Sequence, residues 1–155
     1  MAVLDILIAP DPRLKVTAEP VQDILSVQTL IDDILDTLYA TDNGIGLAST
    51  QVGSKEVIVI IDLSENRDEP LILVNPKVVS GSNKAQGQEG CLSVPDYSAD
   101  VERFTSVVVS ALDREGKSNT VESDDFLAIV MQHEIDHLAG YLFIDYPHHS
   151  SAKWR

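Results

Sequence analysis

The stretch from Phe126 to Leu138 leaves the chain few ways to fold. Phe126, Leu127, Ile129, Val130 and Leu138 make a helix here apolar on more than one side, which demands burial. The same stretch carries His133, Glu134 and His137, and two imidazoles with a carboxylate are costly inside a core unless they find partners. His133 and His137 stand four positions apart, so on a helix their Cβ atoms lie roughly 5–6 Å from each other on one face. This is the pattern H-E-x-x-H. Both imidazoles reach one metal ion, while the glutamate between them stays free to handle the proton of a bound water. Ser123 is the expected cap of this helix, Asp124 and Asp125 oppose its dipole in the first turn, and Gly140 is the expected stop.

Two histidines leave a catalytic metal one protein ligand short. The extended pattern H-E-x-x-H-x-x-G-x-x-H fits as far as Gly140, but Phe143 occupies the place of the third histidine, and no glutamate follows His137. Asp145, His148 and His149 lie beyond the helix stop with no recognised spacing. Upstream, Cys91 is the only thiol in the chain, held between Gly90 and Leu92. A two-histidine site in need of a soft third ligand makes that cysteine the favoured candidate.

The rest of the chain reads as a mixture of arm, helix and strands. Val3 to Ala9 is apolar and is punctuated by Pro10, Pro12 and Pro20, which predicts an extended arm across the domain. Val27, Leu30, Ile31, Ile34, Leu35 and Leu38 follow the steps of an amphipathic helix, with Ser26 as its expected N-cap and Asp42-Asn43-Gly44 as its stop. Gly44 to Gly53 is different in texture. Read alone, Gly44-Ile45-Gly46 suits a tight turn leaving a helix, and the other reading is a backbone that passes close to a ligand. It is no dinucleotide fingerprint, since no strand precedes it and a third glycine is missing.

Strand signals fill the middle. Val57 to Ile61 is β-branched, Ser64 to Pro70 is a polar turn, and Leu71 to Val79 is a second run interrupted by Asn75-Pro76, as at a bulge or edge. Gly81 to Gln88 reads as a polar loop. Val101 to Leu112 strongly favours strand, and Asp113-Arg114-Glu115-Gly116 turns it towards a short partner near Val121.

Composition bounds the classes. With 155 residues the most economical reading is one domain, residues 1–155. A formal charge of −14 argues against affinity for nucleic acid or anionic membranes, both of which need clustered Lys and Arg. No apolar stretch approaches the ~20 residues that span a bilayer. A single cysteine excludes an internal disulfide, and the N-terminus lacks the pattern of a secretory signal, so a reducing, cytoplasmic compartment is expected.

Three segments in order resemble the peptide deformylase family of bacterial type: Gly44-Ile45-Gly46-Leu47-Ala48-Ser49-Thr50-Gln51, Glu89-Gly90-Cys91-Leu92-Ser93 and Gln132 to Leu138. The arm Pro10 to Leu14 and Arg103 are similar too, so the resemblance spans nearly the whole chain. It implies an α+β fold with small, mostly antiparallel sheets around a central metal-binding helix, and one N-terminal amphipathic helix. It also implies removal of the N-formyl group from the initiator methionine of nascent polypeptides, with release of formate. By resemblance, Cys91, His133 and His137 bind the metal. Glu134 moves the proton, and Gln51 with the backbone N–H of Leu92 holds the oxyanion. Ile45, Gly46 and Gly90 lie along the peptide, and Phe126, Ile129 and Val130 wall the methionine pocket. The donor set suits Zn²⁺, whereas the resemblance points to one Fe²⁺, with Zn²⁺, Ni²⁺ or Co²⁺ able to substitute.

The resemblance further implies N-formyl-methionyl nascent peptides as partners, transient proximity to the ribosome and a monomer. A viral or organellar version would work in host cytoplasm or an organelle stroma. Ser49 stands where many relatives have alanine, and the tail Ser150 to Arg155 stands where many continue into another helix. The competing readings are an H-E-x-x-H metallopeptidase and a non-catalytic domain stapled by metal. Phe143, the absent downstream glutamate and Cys91 count against the first, and Glu134, which would be no ligand, counts against the second.

Overall fold

A computed structural model describes residues 2–145. Two helices and five strands carry the architecture: α1 (Gln28–Ala40), β1 (Gly46–Ala48), β2 (Ile58–Ile61), β3 (Leu71–Cys91), β4 (Val94–Leu112), β5 (Ser118–Ser123) and α2 (Phe126–Leu138). The strands join in one antiparallel order, β1-β2-β3-β4-β5, so the α+β class expected from the sequence is observed. Register shifts in the β3–β4 ladder, one of them between Val74 and Lys77, interrupt its regularity. Asn75 sits there with φ 52°, which is where the sequence placed an interruption. Its side-chain amide accepts from Val21 N at 2.8 Å and donates to Val21 O at 3.0 Å, fastening the incoming chain to the sheet.

The sheet lies between the helices. In β2, Ile58 and Ile60 pack with Ile31, Ile34 and Leu38 of α1, while Val59 and Ile61 pack with Ala128 and Met131 of α2. Successive strand side chains point to opposite faces, so covering both faces produces an unbroken apolar run instead of alternation. In β1, Leu47 joins the α1 cluster and Ala48 the α2 cluster. Gly46 therefore shares the α2 face.

Several expected boundaries shift. Gly81 to Gln88, expected as a polar loop, is strand: it pairs with Asp100 to Val107, from Gly81↔Val107 to Gln88↔Asp100. Its side chains are exposed, so burial leaves no imprint on the sequence, and the ladder comes from the apolar partner β4. Ser26 is not the N-cap of α1. A 3-10 turn, Ile24–Val27, leads into the helix, and Asp23 caps that turn by accepting from Leu25 N at 3.1 Å. Ser26 Oγ instead donates to Asp23 O at 2.7 Å. Ser123 likewise belongs to β5, and Asp125 is the N-cap of α2, accepting from Leu127 N at 3.1 Å. In both cases an aspartate within three residues of the serine offers the better-placed acceptor.

The C-terminal end of α2 and the N-terminal arm behave as expected. Gly140, at φ 85°, follows the last turn, and a β-carbon there would fall 2.6 Å from Lys15 O. The arm is mostly extended with one 3-10 turn, Pro12–Lys15. Leu7 N donates to Gln51 O at 2.7 Å and Ala9 N to Ser93 O at 2.8 Å, so the arm ties together two segments that the sequence singled out. Leu7 and Leu14 also cluster with Leu142. His148, His149 and the tail from Ser150 lie outside the described residues.

Candidate active site and metal centre

Cys91 ends β3 at the tip of a tight hairpin, where it pairs with Val94 across Leu92-Ser93. The hairpin brings the thiol to α2. Cys91 Sγ lies 3.4 Å from His137 Nε2, which lies 3.3 Å from His133 Nε2, and the three donor atoms fall within 4.8 Å of one another. His137 is fully buried and His133 nearly so. Asp145, the one alternative ligand among the described residues, points elsewhere: it pairs with Lys15 and accepts from Leu142 N at 2.7 Å. Phe143, at the position of the missing histidine, packs its ring 6.0 Å from that of His133.

This donor set fits a metal ion. With one proton between them the two imidazole nitrogens form an N–H···N hydrogen bond, and the Cys91 sulfur, 3.4 Å from His137 Nε2, brings a third donor to the same point. Burial and the neighbouring His133 charge push His137 well below the ordinary imidazole range. For His133, burial acts downward, but hydrogen bonds to Cys91 and Glu89 outweigh it and hold the ring well above that range. A single divalent cation satisfies the thiolate and both nitrogens at once.

Behind the ligands runs a buried chain of charges. His133 Nδ1 meets Glu89 Oε1 at 2.9 Å, which aims Nε2 at the cluster. Arg103 grips Glu89 with two hydrogen bonds, Nε to Oε2 at 2.8 Å and Nη2 to Oε1 at 2.9 Å, and reaches Asp136 Oδ2 at 2.6 Å through Nη1. Burial alone would raise the Glu89 carboxyl, but hydrogen bonds from Arg103 and His133 prevail and lower it to about 2. Sequence reasoning gave Arg103 only a resemblance and Asp136 no role. Their pairing is invisible along the chain, because β4 and α2 meet only in the fold.

Glu134 is buried beside the cluster, with Oε1 4.0 Å from His137 Nε2 and without a hydrogen-bond partner among the described residues. Burial pushes its carboxyl up to about 7, with the His133 charge opposing and Glu89 assisting. A carboxyl poised near neutrality suits proton transfer in both directions. Gln51 comes from the 3-10 turn Ser49–Val52. Its Oε1 accepts from Ala48 N at 2.9 Å, which turns Nε2 towards Ser93 Oγ, at 3.0 Å, and Cys91 Sγ, at 3.6 Å. The buried Ser49 hydroxyl donates to Glu56 O and so stitches this turn to the start of β2, giving the serine a structural use.

A cavity of about 640 Å³ opens onto Cys91, His133 and Glu134. Ile45, Gly46 and Gln51 form one side, Gly90 and Leu92 another, and Phe126, Ile129 and Val130 an apolar wall. Every site residue inferred from the sequence except His137 lines this cavity, and His137 lies directly behind it. Tyr97 and Asp96, which the sequence did not single out, stand at the rim. Tyr97 packs 6.1 Å from Phe143, ring to ring, so the phenylalanine in place of a histidine supports both a ligand and the rim.

The family model described as polypeptide deformylase matches residues 3–153. The chain belongs to this family. Its reaction is accordingly the removal of the N-formyl group from nascent peptides, and the family implies a single divalent metal. The chain is 77% identical over 146 residues to a peptide deformylase 2 of Vibrio cholerae, covering 94% of this chain and 87% of that protein. A peptide deformylase of Legionella pneumophila has a similar solved structure, with a TM-score of 0.89, 43% identity, and coverage of 93% of this chain and 85% of that one. Another, from Synechococcus elongatus in complex with actinonin, gives a TM-score of 0.86 and 41% identity, covering 92% and 77%. No helix among the described residues is long and apolar enough to cross a membrane.

Proposed function

We propose that this peptide deformylase works through Cys91, His133 and His137 as metal ligands, Glu134 as proton carrier, and Gln51 with the Leu92 N–H as oxyanion donors. The observation that carries the reading is the convergence of three donor atoms within 4.8 Å beside a buried, unpartnered Glu134 oxygen at the floor of the cavity. When bound, the ion supplies Lewis-acid activation of water near neutral pH. Glu134 accepts a proton as water adds to the formyl carbon. It returns that proton to the departing amine nitrogen as the C–N bond breaks, so formate and a free amino terminus result.

Gln51 Nε2 meets the negative charge that develops on the formyl oxygen. It is held by its own Oε1 bond to Ala48 N, so little reorganisation is needed. The outer edge of β1, at Ile45-Gly46, and the hairpin at Gly90 accept the peptide as an added strand. Phe126, Ile129 and Val130 receive the methionine side chain. The substrates are N-formyl-methionyl nascent peptides, met near the ribosome by a cytoplasmic, monomeric, single-domain enzyme. Fe²⁺ is the physiological ion, and Zn²⁺, Ni²⁺ or Co²⁺ can replace it.

Formate release from a short N-formyl-methionyl peptide tests these roles, with enzyme loaded with Fe²⁺ under oxygen-free conditions and Glu134→Ala as control. The parent releases formate, and the variant keeps its metal and does not. A variant that turned over normally would remove Glu134 from the mechanism. Activity that outlasts long aerobic exposure would replace iron by another ion.

A further inference from the structure

The segment joining β2 to β3 reads in sequence as a polar turn, yet it sends Arg67 back across the fold. The guanidinium donates to three backbone carbonyls: Thr41 O at 2.8 Å, Leu38 O at 2.9 Å and Gly44 O at 3.2 Å. The first two lie at the C-terminal end of α1, where Arg67 adds to the bonds that Leu38 O already accepts from Thr41 N at 3.1 Å and Thr41 Oγ1 at 2.7 Å. The third belongs to the chain that enters β1, next to Ile45-Gly46. We propose that Arg67 is a positioning residue for the peptide substrate, fixing the edge at Ile45-Gly46 against α1. The proposal rests on the reading that this edge receives the peptide.

The surroundings allow Gly44 little freedom except what Arg67 controls. A β-carbon on Gly44 would meet Thr41 Oγ1 at 2.4 Å, Leu92 Cδ1 at 3.1 Å and Leu38 Cδ1 at 3.2 Å, so the backbone is wedged between α1 and the hairpin of Cys91. Gly44 N donates to Thr41 Oγ1 at 3.0 Å, and Ile45 O accepts from Asp62 N at 2.8 Å. Arg67 supplies the remaining hold, on the Gly44 carbonyl.

Arg67 is itself held. Its guanidinium carbon lies 5.5 Å from the centre of the Tyr39 ring, and Tyr39 Oη donates to Asp62 Oδ2 at 2.6 Å. Asp62 Oδ2 also accepts from Glu69 N at 3.2 Å, and its Oδ1 from Ser64 N at 2.8 Å, which shapes the segment that presents Arg67. Only an arginine fork spans three carbonyls from one position, whereas lysine offers a single point charge.

The test compares formyl-methionine amide with a formyl-methionyl tripeptide on the metal-loaded parent, Arg67→Ala and Arg67→Lys. The parent prefers the tripeptide. In both variants KM for the tripeptide rises about tenfold with kcat little altered, the signature of lost binding shared by ground and transition states, and KM for the amide rises by about threefold or less. Equal losses on both substrates, or rescue by lysine, would reduce Arg67 to a helix cap and overturn the proposal. So would variants that retain the parent's preference. A parent that treats both substrates alike would instead overturn the edge-pairing reading, and the proposal with it.

Discussion

Gly46 of β1 lies against the carboxylate of Glu134 on α2, so closely that a β-carbon on the glycine would fall 2.7 Å from Oε2 and 3.1 Å from Cδ and Cγ. The glycine at the edge proposed to receive the peptide thereby also makes room for the proposed proton carrier. One residue serves both because β1 runs directly beside α2.

Gly46→Ala should therefore damage turnover far more than folding. The side-chain end of Glu134 can swing away, so the clash is relieved by moving the catalytic group rather than the core. A displacement near 1 Å is enough for a loss of about 10²-fold in kcat/KM. Formate-release kinetics paired with thermal melting check this. A variant melting as the parent does with full activity would mean that Glu134 tolerates the shift.

Gln51→Ala should lower kcat and kcat/KM together, by about 10²–10³-fold, because an oxyanion donor acts only as charge develops. Metal content should stay stoichiometric, since Gln51 Nε2 approaches Cys91 Sγ only at 3.6 Å. Metal analysis alongside kinetics separates the two effects. Loss of metal instead of rate would make Gln51 a support for the thiolate.

Arg103→Met removes the shared partner of Glu89 and Asp136, both buried. Stranding buried carboxylates costs about 3–5 kcal/mol, much more than losing an exposed ion pair. Urea unfolding gives the value directly. A cost below about 1 kcal/mol, typical of exposed pairs, would show that the carboxylates find other partners.

Acid stability should carry the mark of Glu89. Its carboxyl is held at about 2 in the fold against an ordinary value of 4.5, so the unfolded chain binds the proton first as pH falls. The contribution, about 3 kcal/mol, is complete above pH 4.5 and disappears as pH drops through 2. Urea unfolding of metal-free protein at stepped pH should show a steeper decline over that window than Glu89→Gln does. Parallel curves for the two proteins would remove Glu89 as the source.

The residues of the site were more legible than the elements that carry them. His133, Glu134 and His137 share one helix, so their spacing alone fixes a common face. Cys91 was reached by elimination and by resemblance, and no spacing rule connects it to His137, 46 positions away. The strand over Gly81 to Gln88 escaped notice because its side chains face water and pattern reading depends on burial. Ser26 and Ser123 stand two to three residues from the aspartates that accept the backbone N–H, because serine and aspartate both make this bond and local geometry chooses between them.

By itself the sequence determined what depends on local spacing and residue chemistry: a buried helix with two imidazoles on one face, a soft donor to complete them, an amphipathic second helix and the β-branched strands. Tertiary structure alone decided which distant groups share a low-dielectric space. The Glu89-Arg103-Asp136 chain behind His133, the wedge of Gly46 against Glu134 and the reach of Arg67 to Gly44 all join different elements. Electrostatic and steric interactions act through distance in space, and separation along the chain carries no information about that distance once the sheet and helices have packed.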